Sequence, residues 1–200
     1  VGSEMCIRDS VRADESTTHL LKKYNFLILS HSTPLPLTNA YATPSTLGLD
    51  RLAGVVGAGE LYKDKNEAVL VIDLGTCITY DILDHDNVYL GGAISPGIGI
   101  RLKALHEFTG RLPIIEPVDG EVELIGDSTQ SSILSGVYNG IKQELEGVIK
   151  AYDLQYNGLN VVLTGGDMKR FDLAVKNRIF ADDFLVLKGL NEIIRYNEKV

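Results

Sequence analysis

The chain has 200 residues, 44% of them hydrophobic, enough for one domain or two closely joined lobes around a sizeable core. Its formal net charge of -8 speaks against nucleic acid as a main partner, because phosphate-backbone binding rests on clustered Lys and Arg. Cys6 and Cys77 give neither a disulfide framework nor a CxxC pair, no secretory signal is visible, and no apolar run approaches the roughly 18 residues of a membrane helix. A soluble, cytoplasmic protein with no membrane partner is expected.

VGSEMCIRDS (1–10) shows neither helical nor strand periodicity and reads as a leader foreign to the fold, which would leave Cys6 without meaning. NFLILS (25–30) predicts a buried strand, followed by a proline-bearing loop. TLGLDRLAGVVGAGELY (46–62) places Leu47, Leu49, Leu52, Val55 and Val56 at near-helical spacing, with Ser45 or Thr46 as N-cap. EAVLVIDLG, TCITYDILD and VYLGGAI predict three successive strands, turned at Gly75 and at HDN (85–87). PGIGIRLKALHEFTG predicts a helix opened by Pro96. TQSSILSGVYNGIKQELEGVIKAYDL predicts a long helix with an apolar stripe through Ile133, Leu134, Val137, Ile141, Leu145, Val148 and Ile149. NVVLTGGD predicts a buried strand ending in a glycine turn, and DMKRFDLAVKN a short helix. FLVL predicts a last strand and KGLNEIIRYNEK a last helix. From Val69 onward the order is β-β-β-α-(α)-β-α-β-α, the ribonuclease-H-like pattern, an α/β sheet with helices on its faces.

The chemistry-bearing stretches begin with DLGT (73–76). A carboxylate at a strand end, a glycine that bares the backbone and a hydroxyl opening the next strand suit a phosphate-facing hairpin with a screening cation, and equally an ordinary hairpin with an Asx-type turn. Asp50 and Arg51 stand together near a helix start. The pair can accept a hydroxyl proton and hold an anionic group, or Asp50 is simply a surface acid favoured by the helix dipole. TGGD (164–167) is either a turn that a nucleotide can approach or a strand-to-helix connection capped by Asp167. His19, His31, His85 and His106 lack metal-ligand spacing and receive no role.

Taken in order, Tyr41, G-x-D-R at Gly48 to Arg51, D-x-G-T at Asp73 to Thr76, GGAISPGI, the Thr129 segment and TGGD resemble the type III pantothenate kinases, a family also related to the Bvg accessory factor. The resemblance runs from about Phe26 to the C-terminus. It implies two ribonuclease-H-like lobes of the acetate and sugar kinase/Hsc70/actin superfamily, with ATP and Mg2+ in the cleft, and phosphorylation of pantothenate as the first step toward coenzyme A. It further implies Asp50 as general base on the pantothenate hydroxyl, Tyr41, Gly48, Leu49, Asp50 and Arg51 around that substrate, and Thr129 touching it at a homodimer interface. Asp73 would hold a monovalent cation, K+ or NH4+, and Gly75 and Thr76 would face the ATP phosphates.

The family's opening D-x-G-N-T strand-turn-strand has no counterpart before Tyr41. Residues 11–66 therefore read as a remnant of the first lobe, and 67–200 as the second lobe. The chain reads as N-terminally truncated, and this fragment is expected to be a weak or inactive kinase; normal turnover in a coupled ATP assay would refute that. Two alternatives stand beside the kinase: a non-catalytic accessory protein of the same fold, and another small-molecule kinase of the superfamily.

Overall fold

The computed structural model describes residues 27–198, apart from 64, 66 and 157. The expectations for residues 1–10, for Cys6 and for the start of the 25–30 strand lie outside the described residues. Residues 27–30 carry no strand pairing. Leu27 and Leu29 seat on a pair of helices, and the chain then turns, with the Thr33 amide donating to the Ser30 carbonyl at 3.1 Å.

Six strands form one sheet. β2 (Val69–Leu74), β3 (Cys77–Leu83) and β4 (Val88–Pro96) run antiparallel as the sequence implies, and the short β1 (Thr38–Asn39) lies parallel to β4 at one edge. On the other side of β2 come β5 (Asn160–Thr164) and β6 (Arg178–Ala181), both parallel to it. The order β1-β4-β3-β2-β5-β6 contains the ribonuclease-H-like arrangement, an antiparallel meander extended by parallel strands through helical crossovers. The helices are α1 (Leu49–Tyr62), α2 (Ile98–Glu107), α3 (Thr129–Gln155) and α4 (Leu185–Asn197).

Successive side chains of a strand point to opposite faces, and this alternation sorts the core. Leu70, Ile72 and Leu74 of β2 and Ile78, Tyr80 and Ile82 of β3 face α2 and α3, where Leu102, Ile133, Val137, Ile141, Leu145 and Ile149 meet them. The stripe predicted for α3 is therefore core. Val69 and Val71 of β2 and Leu83 of β3 point the other way, to Leu52, Val55 and Ala58 of α1. Ala53 and Val56 on the same helix pack on Leu190 and Ile193 of α4. Asp73 and Asp81 share the alternation of Val71 and Leu83, so both acids belong to the α1 face.

Several boundaries differ from the sequence reading, each for a local reason. Helix α1 starts at Leu49, with Gly48 as N-cap and no side-chain cap bond, because Ser45 and Thr46 are used in a 3-10 turn over Pro44–Thr46. Pro96 closes β4 instead of opening α2, whose N-cap is Gly97. The helix predicted over 167–177 is only a 3-10 turn, Met168–Arg170. Beyond it Phe171, Leu173 and Val175 pack on the core at every second position, a period that suits extended chain. FLVL is helix and not strand: Leu185 begins a stripe continued by Gly189, Leu190, Ile193 and Ile194, which is the α4 face toward α1. The last strand is instead RIFA, an exposed edge with one neighbour.

Candidate active site

The hairpin end raised by DLGT is built from three glycine-bearing turns in contact. The Gly75 amide donates to the Cys77 carbonyl at 3.0 Å, so that N–H is occupied within the turn. Thr76 is exposed, and its carbonyl accepts from the Gly97 amide at 3.1 Å, which brings the Ser-Pro-Gly turn onto the hairpin. From the other side the Asp167 amide donates to the Leu74 carbonyl at 2.9 Å, bringing in TGGD. Gly165 there has φ +92°, and a Cβ on it would come within 2.4 Å of both Asp73 Oδ1 and the Leu74 oxygen. Only glycine fits that left-handed conformation and that close approach. Asp167 itself pairs with Arg170 Nε at 2.9 Å and makes no side-chain cap bond.

On the same side of the sheet as Asp73 lies the start of α1. Asp50 lies in its first turn, exposed, with Oδ1 accepting the Arg51 amide at 2.8 Å. A Cβ on Gly48 would come within 2.5 Å of that oxygen, so the glycine of G-x-D-R leaves room for the carboxylate to fold back. Asp73 is half-buried, and its carboxyl is raised above the ordinary range, first by burial and then by the Asp50 and Asp81 charges. The two acids at positions 50 and 73 thus share one side of the sheet and feel each other's field. Three carboxylates and one guanidinium leave this region short of positive charge, and a cation beside Asp73 would supply it. Among the described residues, no group of three or more His, Cys, Asp or Glu side chains converges as a metal site.

Arg51, expected to hold an anionic substrate group, is turned inward. It is 9% exposed. Its Nε donates to Asp81 Oδ1 and Oδ2 at 3.0 and 3.1 Å, and its Nη2 to Oδ1 at 2.6 Å. The Tyr89 hydroxyl donates to the same Oδ1 at 2.6 Å. Tyr41 stacks on Tyr89 with ring centroids 6.1 Å apart, and the Arg51 guanidinium carbon stands 5.8 Å over the Tyr41 ring. Burial works to lower the guanidinium's affinity for its proton, but hydrogen bonding and charge from Asp81 outweigh it, and the group is held firmly protonated. Burial and the Asp81 charge push the Tyr89 hydroxyl far above its usual range.

The structure thus brings Tyr41, Gly48, Leu49, Asp50 and Arg51 to the same side of the sheet as Asp73. Thr129 is elsewhere: it lies on the first turn of α3, in an open depression with Leu105, Leu112, Gly126, Asp127 and Ile133. Asp81 and Tyr89 escaped the sequence reading. The signal was present, since alternation across DLGTCITYD places a second acid on the face of Asp73, and a buried strand carboxylate requires a partner.

A raised carboxyl has a stability consequence whose sign is fixed. The folded chain holds the Asp73 proton more tightly than the unfolded chain, so stability falls as pH rises from the unfolded carboxyl value through the raised folded one. Asp73→Asn removes that penalty. In buffer free of potassium and ammonium the variant is expected to melt a few degrees above wild type at pH 7, with the gap closing toward acid pH. A lower midpoint at pH 7 contradicts it.

Strand order and crossovers define a ribonuclease-H-like α/β fold, with an acidic strand end on the side of the sheet that carries α1. The sequence profile described as "Type III pantothenate kinase" matches residues 7–151. A Christiangramia forsetii protein named type III pantothenate kinase is 51% identical over 179 residues, spanning 90% of this chain and 72% of its own length. One of that name from Phocaeicola vulgatus is 48% identical over 196 residues, spanning 97% and 80%. Among solved structures, a conserved candidate Baf family transcriptional activator from Campylobacter jejuni superposes with a TM-score of 0.60 at 26% identity, over 95% of this chain and 82% of that one. The chain belongs to the type III pantothenate kinase family. Relatives named as kinases do not favour the non-catalytic alternative.

Proposed function

We infer that the chain carries the ATP-dependent phosphorylation of pantothenate, the first step of coenzyme A synthesis, with Asp50 as general base. The observation that carries this reading is the shared face of Asp50 and Asp73 in a member of a kinase family. Phosphoryl transfer asks little covalent work of a protein, chiefly in-line positioning and compensation of phosphate charge. An exposed carboxylate at a helix start can take the proton of the pantothenate primary alcohol as its oxygen attacks the γ-phosphorus of ATP, whose bond to the β–γ bridging oxygen breaks to release ADP. Tyr41, Gly48 and Leu49 stand beside it to hold the substrate, and Arg51 acts from behind, through its ion pair. Asp73 would hold K+ or NH4+, and the turn of Gly75 and Thr76 would face the phosphates of ATP with its Mg2+. The bound cation supplies positive charge at the phosphates.

Thr129, remote from Asp50 within one copy, makes sense as a contact offered to the substrate of a second copy, which is why a homodimer belongs to this reading. We read residues 67–200 as the second lobe and 11–66 as part of the first, supported by the meander and crossovers from β2 onward. Among the described residues no helix is long and apolar enough to cross a membrane, which fits cytoplasmic work on a water-soluble metabolite.

The test is a coupled ADP-release assay on the purified chain with pantothenate, a hexose and acetate, each with K+, NH4+ or Na+, alongside calorimetric titration of pantothenate. Saturable turnover with pantothenate alone, even if slow, supported by K+ or NH4+ and not by Na+, is expected. Turnover with a hexose or acetate, or no binding of pantothenate, sinks the reading.

A further inference from the structure

Asp81 is a buried strand acid whose side chain is 1% exposed and whose only cationic partner among the described residues is Arg51, its side chain 7% exposed. Such a pair is a weak source of stability, because stripping water from two charges offsets most of their attraction. What it does deliver is fixed geometry. Three donor atoms converge on this carboxylate: Arg51 Nε, Arg51 Nη2 and the Tyr89 hydroxyl. Each is the near end of an arm that reaches the candidate site.

One arm runs through the Arg51 backbone, whose amide donates to Asp50 Oδ1 at 2.8 Å. Fixing the guanidinium fixes the phase of the first turn of α1, and with it the direction in which Asp50 points. The other arm runs through Tyr89, on which the Tyr41 ring is stacked. That ring is backed by Gly91, where a Cβ would come within 3.0 Å of it, so the Tyr41 ring has little room to retreat. Asp81 sits opposite Val71 in the β2–β3 register, in the same ladder that carries Asp73 opposite Thr79. The anchor and the candidate cation ligand are therefore built into one rigid hairpin.

We propose that Asp81 is a positioning residue for phosphoryl transfer: through Arg51 and Tyr89 it sets where Asp50 and Tyr41 stand relative to the β2–β3 turn, without touching substrate. This rests on the reading of Asp50 and Tyr41 as base and substrate contact. The sheet side of the site and the helix side have no other ion pair of this burial joining them among the described residues.

Steady-state kinetics and thermal melts on wild type, Asp81→Asn and Tyr89→Phe test it. Asp81→Asn keeps the shape but aims an amide donor where an acceptor is needed. Its kcat is expected to fall about 100-fold, the scale of an ångström-level misplacement, with the KM for ATP unchanged. Tyr89→Phe deletes one hydrogen bond without unpairing Arg51, and its kcat should fall about fivefold at an unchanged KM for ATP. A merely structural Asp81 would lower the melting point and leave kcat of the folded fraction alone, so a folded Asp81→Asn with wild-type kcat overturns the proposal. If Asp81→Asn does not fold, Tyr89→Phe decides: the fivefold loss supports the proposal and wild-type kcat overturns it. A wild type that does not phosphorylate pantothenate overturns the functional reading first, and this proposal with it, a result distinct from either variant failing against an active parent.

Discussion

Asp50→Asn is expected to lower kcat for pantothenate phosphorylation by about 10²–10⁴-fold, the span that a positioned general base contributes, while the fold persists. The fold should persist because Asp50 is exposed and, among the described residues, its side chain accepts just the neighbouring Arg51 amide, which the asparagine carbonyl oxygen can still accept. The amide keeps the size of the carboxylate, so Gly48 is not crowded further. What is lost is basicity: an amide cannot take the alcohol proton as the phosphorus–oxygen bond forms. The KM for ATP should hold, since the turn proposed to face the nucleotide lies on β2 and β3. Coupled ADP-release kinetics with circular dichroism decide the matter, and a folded variant turning over at wild-type rate would falsify the assignment of Asp50 as base.

Gly189→Ala is expected to destabilise the chain by about 3 kcal/mol or more, at the upper end for overpacking, because the added methyl has nowhere to go. A Cβ at 189 would stand 1.7 Å from the Ala53 carbonyl oxygen and 2.8 Å from the Gly57 amide nitrogen, both backbone atoms of α1. Side chains can rotate aside; a helix backbone cannot. Helices α1 and α4 would have to separate, disturbing the contacts of Ala53, Val56, Leu190 and Ile193. The thermal midpoint should fall by roughly 10 °C for a chain of this size. Gly140→Ala is the control, in the middle of α3 where an added Cβ meets nothing within 4 Å. It should raise stability by about 0.5–1 kcal/mol, since alanine restricts the unfolded chain and favours helix. Opposite signs for the same chemical change would show that close approach, and not helix propensity, governs position 189. Because α1 also carries Asp50, the wedge should depress turnover in whatever fraction remains folded.

The long α3 was legible because its apolar stripe keeps helical spacing over many residues, and the strands β2, β3 and β5 because their β-branched apolar runs are short and bounded by glycine or polar turns. The chain after β5 was harder. LeuValLeu at 185–187 is too short to tell a strand from the opening of a helix, and only the continuation through Leu190 and Ile193 decides it. Edge strand β6 hides because its exposure leaves no apolar pattern to read. In the site, Asp50 and Asp73 could be picked out as a spaced pair of acids, since motif order carries that information. Arg51 could not be read correctly: its sequence neighbour is Asp50, but its partner is Asp81, thirty positions on and visible only once the sheet is folded. Linear proximity suggested a free cation where the fold makes a committed one.

The alternation of β2 and β3 leaves the two sides of the sheet with different employments. Leu70, Ile72, Leu74, Ile78 and Ile82 feed the large apolar mass against α2 and α3, while Asp73 and Asp81 are displayed on the reverse. One residue of slippage between these strands would swap the assignments, sending acids into oil and aliphatics toward nucleotide. The same registration that keeps the interior dry therefore keeps both acids on the side of the candidate site, and sequence drift among the buried aliphatics of α2 and α3 can retune melting behaviour without moving either acid.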